Sequence, residues 1–460
     1  MSSTVQFWGL GSGLSNTSEL IEAMLISDTQ KVTNYETKIT LANSKKSAWN
    51  DLKSSVESIN TIIKNLSGVG KQNFKIATTN SEGYLNAEVD SKALNMDYTV
   101  NVKQIATKHT VSASKISDIN SSLNSSGAFK INGTEINISS TDTLSDVMYK
   151  INNTKDSSGN SIGASSYIID GVLIIESEKT GVDNSLQIED SNDILKSLGM
   201  IKEDGSLNTK KEATNAIVEI NNIQIERNTN SIDDAIDGVT LNLSKVTNDP
   251  ITLSVKNDTS SLKTTITDFI NAYNDLIGKM STYTSYNSDE GTSGILNGDT
   301  SINTIKTTLS KAMQSSFSGG KYSHLFNIGI SVDRYGKYQI DETKLDSALE
   351  NNSGDVLSLF TKGLENPTSS ADSTNGLFVS MKNAVSQLIG GTSNIFTAKS
   401  DSLDAQIKNY NNLIDKTNTY IEKRKATLEA QFAALEQTMS SLNNTASMIT
   451  QMTSSSSDDD

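Results

Sequence analysis

Ile407-Lys408-Asn409-Tyr410-Asn411-Asn412-Leu413-Ile414-Asp415-Lys416-Thr417-Asn418-Thr419-Tyr420-Ile421 begins a long amphipathic run near the C-terminal end of the sequence. Its apolar row continues without a break: Ile407, Ile414, Ile421, Leu428, Leu435, Leu442 and Ile449 recur at a spacing of seven. A row of that period runs along one side of a helix and predicts pairing with a second helix. The companion row is poor: Tyr410, Thr417, Arg424, Gln431, Thr438, Thr445 and Met452. One strong row beside one polar row does not make a robust isolated zipper, so this helix needs another surface.

The simplest such surface is the other end of the chain. Leu25, Val32 and Ile39 also recur every seven residues, after Ser15-Asn16-Thr17-Ser18, any of which could cap a helix start. Trp49, Leu52, Val56, Ile59, Ile63 and Leu66 then follow at spacings of three and four, one continuous seam, and Gly68 and Gly70 are expected to stop it. Ordinary bundle helices carry the same seams. The placement argues for more, because Ser/Thr/Asn-rich, proline-poor helices at both termini bracket a β-rich centre. The chain leaves a stem, builds a head and returns.

Composition limits the function. The 460 residues imply about two to four domains. Only 35% are hydrophobic, which suits thin cores, long helices or surfaces that assembly covers. With 39 Lys+Arg against 54 Asp+Glu the net charge is −15, which argues against nucleic acid as a partner, since phosphate binding needs a basic face. No apolar run reaches the roughly 20 residues that cross a bilayer, so no membrane insertion is expected. Cysteine is absent, which removes disulfides, thiolate metal sites and thiol nucleophiles. The first basic residue is Lys31, so no cleaved secretory leader is expected. A chain with no cysteine and two prolines, Pro250 and Pro367, suits export as an unfolded thread.

The centre carries an internal repeat. Phe129-Lys130-Ile131-Asn132-Gly133-Thr134-Glu135-Ile136 aligns with Val218-Glu219-Ile220-Asn221-Asn222-Ile223-Gln224-Ile225. Each reads as strand, tight Asn-Gly or Asn-Asn turn, strand. Each then meets a short amphipathic segment expected to be helical, Thr141–Val147 and Thr229–Ala235. Asp142 or Thr143 and Asn230 or Ser231 are the candidate caps, with Asp146 and Asp234 near the positive helix start. Strands follow in Tyr167–Glu176 and Val239–Ser244. Two β-β-α-β-like units predict two small stacked domains. Further on, Phe269, Ile270, Tyr273 and Ile277 form a helical stripe, Ile328–Val332 and Lys337–Ile340 a hairpin, and 281–294 and 365–376 loops.

Catalytic constellations are missing. Gly9-Leu10-Gly11-Ser12-Gly13-Leu14 lacks the third glycine, the preceding strand and the lysine of a phosphate loop, and reads as a flexible lead-in. Asp233-Asp234-Ala235-Ile236-Asp237-Gly238 has alanine at the third calcium-loop position. His109 and His324 stand beside no nucleophile turn and read as surface or packing histidines. No active site, metal site or cofactor is expected.

Several segments carry a family resemblance. Gly9–Leu14 followed by Ser18-Glu19-Leu20-Ile21-Glu22-Ala23-Met24 resembles the N-terminal segment of the bacterial flagellar filament cap protein (hook-associated protein 2) family, with Ser15 where the family has Asp. Glu219–Asn222 through Asn230–Leu241 resembles that family's small β-α module. Phe269–Ile277, Gly294–Asp299 and Ile328–Asp333 are similar to three segments of its C-terminal half, and the matches keep their order over nearly the whole chain.

The resemblance implies an α+β multidomain protein, with a terminal helical coiled-coil stem and a helical-bundle domain between which two small β-rich head domains are inserted. The expected parts are 1–42 with 398–452 as leg, 43–80 with 258–397 as helix-rich domain with a hairpin, 81–115 with 212–257 as inner head, 116–211 as outer head, and 453–460 as disordered tail. It implies a non-enzymatic ring of four to six copies at the filament tip, outside the cell, that retains exported flagellin and promotes its folding and insertion. Other implied partners are an export chaperone on the C-terminal helix and hook-filament junction proteins. Leg and filament contacts are expected at Leu20, Ile21, Met24, Leu25, Val32 and Ile39, and at Ile407, Ile414, Ile421, Leu428, Leu435, Leu442 and Ile449. The alternatives are another axial flagellar protein, of junction or flagellin-like type, and a surface adhesin on a coiled-coil stalk; a cap closes into small rings whereas a flagellin-like subunit polymerises.

Overall fold

The computed structural model of the protein describes residues 17–66, 73–318, 320–364 and 375–455. The chain divides into two compact units, Met1–Lys71 with Lys263–Asp460, and Gln72–Leu262. Gly9–Leu14, Ser15, Asn16, Gly68, Gly70 and most of the 365–376 loop, all singled out in the sequence, lie outside the described residues.

The helices, in chain order, are α1 (Thr17–Lys64), α2 (Leu144–Asn153), α3 (Ile194–Ser197), α4 (Thr259–Thr284), α5 (Thr300–Met313), α6 (Glu342–Thr361), α7 (Leu377–Ile389) and α8 (Ile395–Ser455). In the first unit the predicted seam of α1 is the core seam, since Trp49, Leu52, Val56, Ile59 and Ile63 are all buried. Each such side chain contributes about 1.5–3 kcal/mol by leaving water. The stripe Phe269, Ile270, Tyr273 and Ile277 turns α4 into the same core. Phe269 meets the edge of Phe378 at 5.1 Å, and Tyr273 that of Tyr338 at 5.4 Å. Tyr338 anchors the predicted hairpin, Ile330–Val332 with Tyr338–Ile340. The Asn274 carboxamide brackets its backbone, donating to its carbonyl at 2.7 Å and accepting from its N–H at 2.8 Å. Burial pushes the Tyr338 hydroxyl up to about 12. Polar ties complete the packing: Lys279 reaches Asp51 on α1 at 2.9 Å, Tyr283 donates to the same carboxylate at 2.7 Å, and Lys263 pairs with Glu342 and Asp346 on α6.

The second unit is built from antiparallel sheets around two hydrophobic clusters. A five-stranded sheet runs in the order Lys75–Thr79, Ile251–Asn257, Met96–Gln104, Ala216–Ile220 and Ile223–Arg227. A three-stranded sheet, Ser231–Ile236, Val239–Leu243 and Leu85–Val89, accompanies it. Val100, Val102, Val218, Leu241 and Leu253 centre that cluster. The other cluster, around Phe129, Ile131, Leu173 and Ile175, lies among the sheets Thr209–Lys211, Thr110–Ser112, Val172–Ser177, Ala164–Ile169 and Thr134–Ile138, Gly127–Ile131, Ile188–Asp190.

Both repeat hairpins form, with Asn132, Asn221 and Asn222 at φ of 48°, 48° and 66°, the left-handed region these turns require. The helix expected after each forms only once. In the first copy Thr143 caps α2 in a reciprocal box with Asp146, and Leu144, Val147 and Ile151 supply three buried contacts on one face. The second copy is a strand, Ser231–Ile236, paired with Val239–Leu243. Only Ile232 and Ile236 are buried there, and the Asp237-Gly238 turn, with Gly238 at φ +72°, sends the chain straight back. A helix would have to give up that ladder and would gain no third apolar contact. Asn230 accordingly caps nothing; its carboxamide accepts from the Ala106 N–H at 2.7 Å and donates to the Ala106 carbonyl at 2.8 Å. Two further expectations shift. α4 runs on to Thr284, into the stretch read as loop, and 286–293 closes as a short hairpin. α8 continues to Ser455, three residues into the stretch read as a disordered tail.

Candidate assembly surface

α1 and α8 lie antiparallel along one another. Trp49 meets Phe396 edge-on at 5.9 Å, Lys46 pairs with Asp404 at 2.6 Å, Tyr35 stacks on Tyr410 at 6.1 Å, and Arg424 reaches Asp28 at 2.8 Å. Residue numbers on α1 fall as those on α8 rise. The predicted rows supply the apolar part of the seam. Ile21 and Leu25 are buried, and Val32 and Ile39 are half-buried on α1. Ile407, Ile414, Ile421 and Leu428 are half-buried on α8. Leu20 and Met24, 44% and 49% exposed, sit on the outward face of the same two α1 turns, with Ile26 and Leu41 also exposed.

Beyond Leu428 the heptad row and the covered face separate. Thr17 begins α1 eleven residues before Asp28, and eleven residues past Arg424 lies Leu435. From there the predicted row turns to solvent: Leu435, Leu442 and Ile449 are 45%, 58% and 57% exposed. The half-buried positions move instead to Phe432, Glu436, Met439 and Ser440, and from 441 to 452, past the level of Thr17, every residue is exposed. A straight helix has 3.6 residues per turn, so a seven-residue row drifts about 20° per repeat off a fixed face.

The companion row is not mere filler. Arg424 and Tyr410, read as its weak points, are half-buried and make the most specific contacts of the seam. The Asp28 carboxylate, its side chain only 5% exposed, takes Lys31 at 2.9 Å and Arg424 at 2.8 Å. The hydrogen bond from Lys31 holds Asp28 below its ordinary carboxylate value, and Arg424 adds to the effect. A charge this covered is tolerated only when paired, so the trio ties α1 and α8 to one register. Lys38 stands over the Tyr35 and Tyr410 rings at 5.9 and 5.5 Å. Asp28 was missed in the sequence, although an acid at a seam position opposite an arginine at a seam position is a legible signal.

At the base of α8, Lys399 lies 2.9 Å from both oxygens of Asp299 and 5.6 Å from the Trp49 ring. The two histidines are packing residues. Nδ1 of buried His109 accepts from the Leu186 N–H at 3.0 Å, and its Nε2 lies 3.2 Å from the Thr209 hydroxyl. His324 is half-buried at the start of a short 3-10 turn. Among the described residues no group of three or more His, Cys, Asp or Glu could hold a metal ion, and no helix is long and apolar enough to cross a membrane.

Terminal helices zipped to one another, with a bundle and sheet-built modules between them in sequence, define a multidomain α+β structural class. The family follows from two matches: the model described as flagellar hook-associated protein 2 C-terminus covers residues 213–444, and that described as flagellar hook-associated protein 2 N-terminus covers 12–109. The chain belongs to the flagellar hook-associated protein 2 family. The flagellar hook-associated protein 2 of Escherichia coli K12 is 28% identical over 437 residues, 87% of this chain and 92% of its own length. The A-type flagellar hook-associated protein 2 of Pseudomonas aeruginosa is 28% identical over 338 residues, 67% of this chain and 70% of its own. Among solved structures, the D1-D2-D3 domains of the flagellar cap protein FliD from Escherichia coli superpose with a TM-score of 0.63 at 29% identity, over 78% of this chain and 99% of that one.

Proposed function

We propose that the chain is a subunit of a flagellar filament cap, a closed ring of four to six copies at the filament tip, outside the cell. There it retains exported flagellin and promotes its folding and insertion, making and breaking no bond. The observation that carries this reading is membership of the hook-associated protein 2 family together with the likeness to a cap protein over three of its domains. Export as an unfolded thread belongs to the same proposal, and the lack of cysteine and the two prolines suit it. An export chaperone on α8 and the hook-filament junction proteins are the further partners it implies.

The chain then works as four parts and a tail. The leg is 1–42 with 398–452, the helix-rich domain 43–80 with 258–397, the inner head 81–115 with 212–257, the outer head 116–211 and the tail 453–460. Ile21, Leu25, Val32, Ile39, Ile407, Ile414, Ile421 and Leu428 hold the leg together. Leu20, Met24, Leu435, Leu442 and Ile449, exposed in the single chain, meet the filament and neighbouring subunits. Apart from Tyr410 and Arg424 the companion row adds little to the seam, which keeps such a leg from locking into a permanent zipper and suits a ring that must release and rebind as the filament grows.

Electron microscopy of the purified full-length protein tests the assignment. Closed rings of a few subunits are expected. Open polymers would replace the cap reading by that of a filament-type axial subunit.

A further inference from the structure

We propose that Asn297 is a site of spontaneous covalent modification, converting through a cyclic imide to aspartate and isoaspartate; the proposal stands whether or not the chain caps a filament. Leu296-Asn297-Gly298-Asp299 is the tight turn that delivers the chain into α5. Its backbone is tied on both sides of the reacting bond, the Asn297 N–H donating to the Gly294 carbonyl at 3.0 Å and the Asp299 N–H to the Leu296 carbonyl at 3.0 Å. Between them, the Gly298 N–H donates to no group among the described residues, and the exposed Asn297 carboxamide makes no hydrogen bond there. Gly298 stands at φ +81° with open space where a side chain would be, so no bulk at position 298 shields its nitrogen from the Asn297 Cγ.

The chemistry balances with water alone. The Gly298 nitrogen forms a bond to Cγ, the bond from Cγ to the side-chain nitrogen breaks, and that nitrogen leaves as ammonia with the proton Gly298 gives up. Water then opens the five-membered imide at either carbonyl, leaving a carboxylate on the side chain or, at the other carbonyl, an isoaspartyl link with one extra backbone atom. No oxidant or reductant is involved.

The chain contains its own control. Asn132-Gly133 is the same dipeptide, but its carboxamide is pinned: the oxygen accepts from the Gln187 N–H at 2.9 Å and the nitrogen donates to the Ile162 carbonyl at 2.8 Å. Those bonds must break before Cγ can be attacked. The position of Asn297 also gives the modification a consequence. Lys45, Asp299 and Lys399 line the same concavity. Asp299 caps α5 through the Ser301 N–H at 3.0 Å while it holds Lys399 at the base of α8. A plain aspartate at 297 adds a carboxylate beside two ammonium groups. An isoaspartate lengthens the backbone two residues before the cap and moves Asp299 off Lys399, so the α8 base loosens as the molecule ages.

The full-length protein, incubated at mildly alkaline pH for increasing times and digested, would be followed by peptide mass spectrometry. The peptide holding Asn297 is expected to gain the mass of an NH2-to-OH exchange and to split into two chromatographic forms, well ahead of the peptide holding Asn132. Unfolding the chain in urea is expected to abolish that difference. Asn297→Ser, at an exposed position, is expected to leave that peptide unchanged in a folded chain. Hydrogen exchange over residues 395–405 is expected to rise with the isoaspartyl fraction. An intact Asn297 in a folded sample whose Asn132 has converted overturns the proposal, and exchange at 395–405 indifferent to the isoaspartyl fraction overturns the stated consequence.

Discussion

Replacing Leu25 by Ala separates the inner face of α1 from its outer face. Leu25 is 5% exposed, buried in the α1–α8 seam, so the truncation removes three carbons from packed surroundings. Leu→Ala in a core costs about 2–5 kcal/mol, the spread depending on how far the site collapses. A two-helix seam has water on both flanks and can close or fill, which points to the low end, about 2 kcal/mol. Alanine's better helix propensity returns only about 0.2 kcal/mol. The net loss is about 1.8 kcal/mol, and at about 1.4 kcal/mol per decade the opening equilibrium of this end of the seam rises roughly 20-fold. The loss is local, because Trp49 and Phe396 clamp the opposite end. Hydrogen exchange measured by mass spectrometry is therefore expected to accelerate over residues 17–32 and 417–432 and to stay unchanged over 49–63. Leu20→Asp, five residues earlier on the 44%-exposed face, is expected to shift stability by no more than about 0.5 kcal/mol and yet to prevent ring formation. If Leu25→Ala left exchange in the seam unaltered, or Leu20→Asp opened it equally, the assignment of faces would be wrong.

Acid is expected to loosen the same seam. Asp28 lies below its ordinary value of 3.8 when folded, so its contribution is complete above that value and is lost as pH falls through the lower folded one. Exchange over 17–32, followed from about pH 5 down to pH 2, should accelerate at the acid end, and Asp28→Asn should remove that added acid sensitivity. In the sheet-built unit, Gly171 stands at φ +78° with the Ile116 carbonyl oxygen 2.2 Å from where a Cβ would lie. Gly171→Ala is expected to cost more than about 1 kcal/mol, a fall in Tm of at least about 2–4 °C. Gly205→Ala, at φ +83° with open space around it, should cost less, and equal falls would refute the argument from close approach.

Much of the architecture was legible because burial imposes a period on a sequence. Trp49 to Ile63 and Phe269 to Ile277 announced helices that pack on one side, and the turns at Asn132-Gly133 and Asn221-Asn222 announced hairpins, since few residues accept a positive φ. The second repeat misled for the opposite reason. Thr229–Ala235 has local features compatible with a helix start, but a seven-residue segment has little intrinsic preference, and the partner strand Val239–Leu243, one two-residue turn beyond Ile236, settled it. The asparagines were equally opaque. Asn230 and Asn274 each satisfy the N–H and carbonyl of one distant residue, Ala106 and Tyr338, and no spacing along the chain foretells such a partner. Asp28 lay between legible and hidden, visible as a misplaced charge whose meaning needed Arg424.

From the order of its amino acids alone the protein was determined to have long helices at both ends, β-strands between them, an acidic surface and no thiol chemistry. These follow from what each residue does with its near neighbours and with water. Tertiary structure decided which way the terminal helices run, where on α8 the heptad row leaves the covered face, and that Asp28 and Arg424 share a register. Those outcomes depend on groups 396 positions apart meeting at 2.8 Å, a juxtaposition that only the folded chain creates.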